Sequence, residues 1–224
     1  MSARTRDTHR SPFDFYPTPT WCVQRLVEAV DLPGGRWLEP AAGDGAIIRA
    51  IGRFDVKWTA WEVREDEGPR LRHLDARPHV VIGDFLGSCA TDSASTAKCQ
   101  VAITNPPFSL AMPFIEGCLA QAEIVVMLLP LNFLASEGRW KFMRANTPDV
   151  YVLPNRASFK GGNTDIAEYG WFVWRGGRRS AGKIRVLGLT SPTDRGRCRR
   201  VGNFPMAPRQ ASRSRNGRPG SQFR

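Results

Sequence analysis

Arg36-Trp37-Leu38-Glu39-Pro40-Ala41-Ala42-Gly43-Asp44-Gly45 decides how this chain folds. A short apolar run ends in a carboxylate and passes through a small-residue, glycine-containing turn into a segment with helical spacing. Two more apolar runs close the same way, at Glu62 after Trp58-Thr59-Ala60-Trp61 and at Asp84 after Val80-Val81-Ile82-Gly83. The nearly equal intervals between these acids suit a strand, a helix and a return loop, repeated as βαβ units. Parallel strands would gather the three carboxylates at one C-terminal edge, where open α/β sheets bind ligands. Gly43 and Gly45 let the backbone turn sharply and approach a ligand without a Cβ in the way. Ile48 stands where a dinucleotide fingerprint needs its third glycine, and no Gly-Lys-Ser/Thr follows. The loop therefore suits a nucleoside with a zwitterionic tail better than one with phosphates.

A second element lies at residues 105–108, Asn105-Pro106-Pro107-Phe108, directly after the apolar run 100–104. Consecutive prolines fix φ and remove two N–H donors, so carbonyls in the turn point outward unpaired. An asparagine oxygen and a backbone carbonyl can together accept both hydrogens of one planar amino group, and Phe108 offers a face for a heterocycle. The turn reads as a pocket for an exocyclic amine.

Composition sets the outer bounds. At 224 residues and 42% hydrophobic content, one α/β domain with a full core is expected. No apolar stretch reaches the roughly 18 residues of a membrane span, and the N-terminus lacks the apolar core of a signal peptide, so a cytoplasmic location is expected. Five widely spaced cysteines without a Cys-x-x-Cys pair predict reduced thiols, with neither disulfides nor a metal site. Charge is uneven: residues 195–224 carry nine arginines and no acid, out of a net +11 for the whole chain. Such a segment cannot form a core, and its arginines would meet phosphates without reading sequence. The expected division is a basic arm at 1–12 with Arg4, Arg6 and Arg10, a domain at 13–190, and a basic disordered tail at 191–224.

The ordered set of motifs resembles the class I S-adenosylmethionine-dependent methyltransferases, and within them the small phage-type DNA adenine-N6 enzymes. The matching residues are Phe15-Tyr16-Pro17-Thr18-Pro19, Glu39 to Gly45, Glu62, Gly83-Asp84-Phe85, Asn105 to Phe108, and Arg156-Ala157-Ser158-Phe159 followed by Asp165, Glu168-Tyr169 and Phe172-Val173-Trp174. The resemblance implies a Rossmann-like α/β fold: a seven-stranded sheet, mostly parallel with an antiparallel final strand, and helices on both faces. It implies S-adenosylmethionine as cofactor, held by Tyr16, Pro17, Thr18, Glu39, Ala41, Gly43, Gly45, Glu62, Asp84, Phe85 and Asn105. Glu62 would take the ribose hydroxyls and Asp84 the adenine amine, while Phe85 either packs on that adenine or belongs to the core.

Asn105, Pro106, Pro107 and Phe108 would be catalytic, with Asn105 and the Pro106 carbonyl accepting from the target amine. Duplex DNA would be the partner, its adenine flipped out to stack on Phe108, with Phe159 and Ser158 beside it. Residues 131–144, with Arg139 and Lys141, are either a DNA contact or an amphipathic packing helix. A monomer or weak dimer is expected. Two other readings share the same residues: a ribosomal RNA guanine-N2 methyltransferase, and a non-enzymatic nucleic-acid-binding protein that keeps the fold.

Parallel strands are expected over 36–41, 57–63, 79–85, 100–105 and 123–130, a final strand pair over 150–154 and 169–175, and an extra strand at 184–189. Thr18 or Thr20 would cap a first helix ending near Asp31, a second helix would cover about 45–53, and Ser109 would cap the helix after the proline turn. A mobile loop is expected at 159–165.

Overall fold

The computed structural model describes residues 17–91, 98–157, 167–176 and 182–195. The expectations for Tyr16, Ser158, Phe159, the 1–12 arm, the 159–165 loop and most of the basic tail lie outside them. Eight strands form one sheet: β1 (Gly35–Glu39), β2 (Val56–Glu62), β3 (His79–Ile82), β4 (Cys99–Thr104), β5 (Ala122–Pro130), β6 (Asp149–Val152), β7 (Tyr169–Arg175) and β8 (Ile184–Val186). Their spatial order is β3-β2-β1-β4-β5-β7-β6-β8.

The helices are α1 (Thr20–Ala29), α2 (Ala46–Ile51), α3 (Gly68–Arg72), α4 (Phe85–Thr91), α5 (Ala111–Gln121), α6 (Trp140–Ala145) and α7 (Pro192–Arg195). They cover both faces. Alternation along each strand divides the core: Trp37, Ile103, Val126 and Trp171 pack with α1, α2 and α3, while Leu38, Ala102, Met127 and Phe172 pack with α4, α5 and α6. Across the first layer the Trp171 indole N–H donates to the Cys22 carbonyl at 2.9 Å, tying β7 to α1.

Two expectations are corrected. The sheet has eight strands rather than seven, and its antiparallel member is not the last. β7 lies antiparallel between β5 and β6, and β8 then runs parallel to β6. An antiparallel return needs no crossover helix, which is why β7 can slot inside the order. The helix caps also differ. Pro19 stands at the N-cap of α1 and Leu110 at that of α5, neither with a side-chain cap. Thr18 is instead buried in the ligand cleft, and Ser109 sits inside a 3-10 turn, Phe108–Leu110, inserted before α5.

The start of the expected tail, Ser191 to Asp194, is tied into a turn by the Ser191 hydroxyl donating to Asp194 at 2.8 Å. Cys22, Cys89, Cys99 and Cys118 are free thiols, and burial pushes that of Cys99 up to about 11. Among the described residues no helix is long and apolar enough to cross a membrane, and no group of three or more His, Cys, Asp or Glu is placed to hold a metal.

Candidate active site

β1 has β2 on one side and β4 on the other, so the connections leaving β1 and β4 depart in opposite directions and open a crevice between their C-terminal ends. A cavity of about 540 Å³ fills that crevice. Its walls include Pro17 and Thr18 before α1, the loop from Glu39 to Asp44 with Ala46 and Ile47 of α2, Glu62 to Arg64, Gly83 to Leu86, and Asn105, Pro107, Ser109 and Leu110 with Phe114 of α5.

The loop after β1 is held from the neighbouring strand. Glu62 is 5% exposed, and its Oε2 accepts the Gly43 N–H at 2.6 Å while Oε1 accepts both the Arg64 N–H and Arg64 Nε at 2.9 Å. Gly43 and Gly45 have φ of 59° and 78°, and a Cβ on Gly45 would meet the Leu74 Cδ1 at 2.5 Å, so only glycine suits that position. Gly45 starts α2 as its N-cap and does not itself line the cavity.

Glu39 is the site's electrostatic anomaly. It is 1% exposed, and its Oε2 is buried without a hydrogen-bond partner. Burial, then the nearby charges of Asp44 and Glu62, hold its carboxyl well above the ordinary range. A carboxyl so placed favours a ligand that brings positive charge to it.

On the opposite wall Asp84 Oδ1 accepts the Leu86 N–H at 3.0 Å, fixing the start of α4. Phe85 belongs to the core, 3% exposed, stacked on Phe114 at 5.8 Å and edge-on to Trp61 at 5.9 Å, and it also lines the cavity. Asn105 is half-buried and lines the same cavity at the end of β4. Pro106 is buried and is not among the residues that line the cavity. Phe108 is not among the residues that line the cavity; it stands between Pro107 and Ser109, which do, and is 36% exposed with its ring 5.6 Å from that of Tyr169.

Of the expected cofactor residues, Pro17, Thr18, Glu39, Ala41, Gly43, Glu62, Asp84, Phe85 and Asn105 are brought together around one cavity. Arg139 and Lys141 are not part of it. Sequence reasoning missed Arg64, Leu86, Ser109 and Leu110. Arg64 had a signal, a cation two residues beyond a strand-ending acid, and Ser109 and Leu110 directly follow the proline turn.

No family model matches the chain. It is 35% identical over 102 residues to an rRNA methyltransferase of Streptomyces thermotolerans, a match covering 43% of this chain and 32% of that protein, so the chain spans about a third of that relative's length. A candidate RNA methyltransferase from Pyrococcus horikoshii superposes with a TM-score of 0.55 at 15% identity, over 73% of this chain and 87% of that one. The 23S rRNA methyltransferase ErmE gives 0.52 at 20% identity, over 75% and 71%. The fold is that of the class I S-adenosylmethionine-dependent methyltransferases. S-adenosylmethionine is the cofactor that this fold implies.

Proposed function

We propose that this chain methylates the N6 amine of adenine in DNA. The observation that carries the reading is that Asn105, at the end of β4, shares one cavity with Glu39, Glu62, Asp84 and Phe85. The cavity fits the cofactor in charge, since the unpartnered buried oxygen of Glu39 would meet a ligand carrying an ammonium and a sulfonium. Glu62 retains acceptor capacity for a ribose, Asp84 has its second oxygen for an amine, and Phe85 offers a ring edge inside the cavity. When bound, the cofactor supplies an electrophilic methyl group.

The chain's own part is to hold the nucleophile. The adenine amine is weak because its lone pair is conjugated into the ring. Acceptors aimed at its hydrogens favour the tetrahedral, positive nitrogen of the transition state, and Asn105 with the Pro106 carbonyl is placed in sequence for that task. Phe108, exposed between the cavity-lining Pro107 and Ser109, would receive the extruded base, repaying part of its unstacking.

The full set of motifs, from Pro17 and Thr18 to the Arg156 segment, favours adenine in DNA. One observation favours RNA instead, the 35% identity to an rRNA methyltransferase. Incubation with the cofactor and duplex DNA, single-stranded DNA or ribosomal RNA, followed by nucleoside mass spectrometry, separates the two. N6-methyladenine in DNA is the expected product, and Asn105→Ala should lower its rate about a hundredfold or more. Methylation confined to RNA would overturn the reading.

A further inference from the structure

Beyond β5 the chain makes two 3-10 turns, Leu131–Leu134 and Glu137–Arg139, before α6. Three contacts anchor it. Leu131 N–H donates to the Glu168 carbonyl at 2.9 Å, Phe133 packs edge-on to Phe172 at 6.0 Å, and Arg139 Nε donates to the Phe133 carbonyl at 3.0 Å with its guanidinium 4.3 Å from the Phe133 ring. Arg139 is thereby committed inward, and the outward surface falls to its neighbours.

Those neighbours form a platform. Trp140 is 54% exposed and Leu134 is 38% exposed. The Arg144 guanidinium lies 5.4 Å from the Trp140 ring, and Lys141 is exposed beside it. Leu134, Ser136, Trp140 and Arg144 border a shallow cavity of about 650 Å³ separate from the crevice. Met143 is the buried residue of α6, and Trp140 and Leu134 together leave an apolar patch in water.

The segment that carries the platform also has a defined starting point. β4 and β5 are parallel neighbours, so the loops that follow them emerge at one edge of the sheet. Phe108, in the loop after β4, touches Tyr169, and Tyr169 pairs with Pro130, the last residue of β5. The segment carrying Trp140 thus starts one residue beyond the strand position paired with the ring that Phe108 meets.

We infer that Trp140, with Arg144 and Lys141, is a stacking platform for an unpaired DNA base next to the target nucleotide. The inference rests on the nucleic-acid reading of the crevice. An indole face stacks on any base, which gives affinity without sequence choice. A guanidinium beside it can take the adjoining phosphate in a forked pair of hydrogen bonds. With Arg139 turned inward, residues 134–144 still present two exposed basic side chains, Lys141 and Arg144, against the single acid Glu137, the sign a phosphate chain needs.

The test uses the full chain and a short fluorescein-labelled single-stranded DNA oligonucleotide containing adenine, read by anisotropy. Trp140→Ala should raise Kd about tenfold and Trp140→Phe by about threefold or less. Arg144→Gln should flatten the slope of log Kd against log salt by about 0.7. In methylation of the same oligonucleotide, Trp140→Ala should raise KM while kcat stays within about twofold.

Weaker binding by Trp140→Ala in a wild type that methylates nothing would support the platform and sink the enzymatic reading alone. Unchanged binding and KM in both Trp140→Ala and Arg144→Gln, with native melting, would overturn the platform. Tighter Trp140-dependent binding of the matching RNA strand would overturn its assignment to DNA.

Discussion

Glu62 Oε2 accepts the Gly43 amide hydrogen at 2.6 Å, so a buried carboxylate ending β2 fixes the loop that leaves β1. Its other oxygen is saturated by Arg64, which keeps the carboxylate from turning away. In Glu62→Gln one acceptor becomes an NH2 group that faces either the Gly43 N–H or Arg64, donor against donor. A hydrogen bond to a charged group is worth about 1.5–3 kcal/mol, so the Kd for S-adenosylmethionine should rise about tenfold or more. Calorimetric titration of the variant checks this, and an affinity equal to that of the wild type would remove Glu62 from the binding site.

Glu39 makes the ligand-free protein sensitive to pH. Its carboxyl is held well above the ordinary range in the folded state, chiefly by burial. Below the unfolded carboxyl pKa both states are protonated and its stabilising contribution is complete. As pH rises, the unfolded chain releases the proton first, and stability is lost up through the raised folded pKa. Glu39→Gln removes that proton linkage. Between about pH 5 and pH 8 its melting temperature should gain on the wild type as pH rises. Cofactor binding to the wild type should also release a proton, because a cation beside Glu39 favours the carboxylate. Titrations in buffers of different ionisation enthalpy would detect that release, and parallel melting curves for the two proteins would refute the assignment.

The strands were legible because buried parallel strands leave runs such as Val101, Ala102 and Ile103, flanked by turn residues. The three strand-ending acids marked the crevice for the same reason: parallel register carries every C-terminal end to one edge. The pairing of 150–154 with 169–175 was legible and is found between β6 and β7, but that β7 lies against β5 and that β8 joins β6 was not. The apolar runs show that strands exist, while neighbours are chosen by long-range packing such as Trp171 against Cys22.

The caps failed on local detail. Thr18 has the chemistry of a cap, yet its side chain is drawn into the cleft. The prolines before Ser109 are followed by one turn of 3-10 helix, which moves the start of α5 two residues beyond it. For Arg139 the sequence left two readings open, since an arginine beside aromatics reads alike whether it meets nucleic acid or, as seen here, covers Phe133.

Phe108 and Asn105 stand three residues apart and should fail differently when removed. The Phe108 ring is partly exposed and leans on Tyr169 at 5.6 Å, tilted by 34°. Losing that ring pair should cost about 0.5–1.5 kcal/mol of stability, too little to unfold the chain. Its larger loss is a stacking face for the incoming base, worth about 1–3 kcal/mol per base. Phe108→Ala should therefore raise KM for the oligonucleotide about tenfold while kcat falls less than in Asn105→Ala, whose defect lies in the transition state. Phe108→Tyr keeps the face and should restore KM. Steady-state transfer of a tritiated methyl group at several DNA concentrations distinguishes the two patterns. A kcat defect in Phe108→Ala as deep as that of Asn105→Ala, at unchanged KM, would mean that the ring aligns the reacting nitrogen instead of capturing the base.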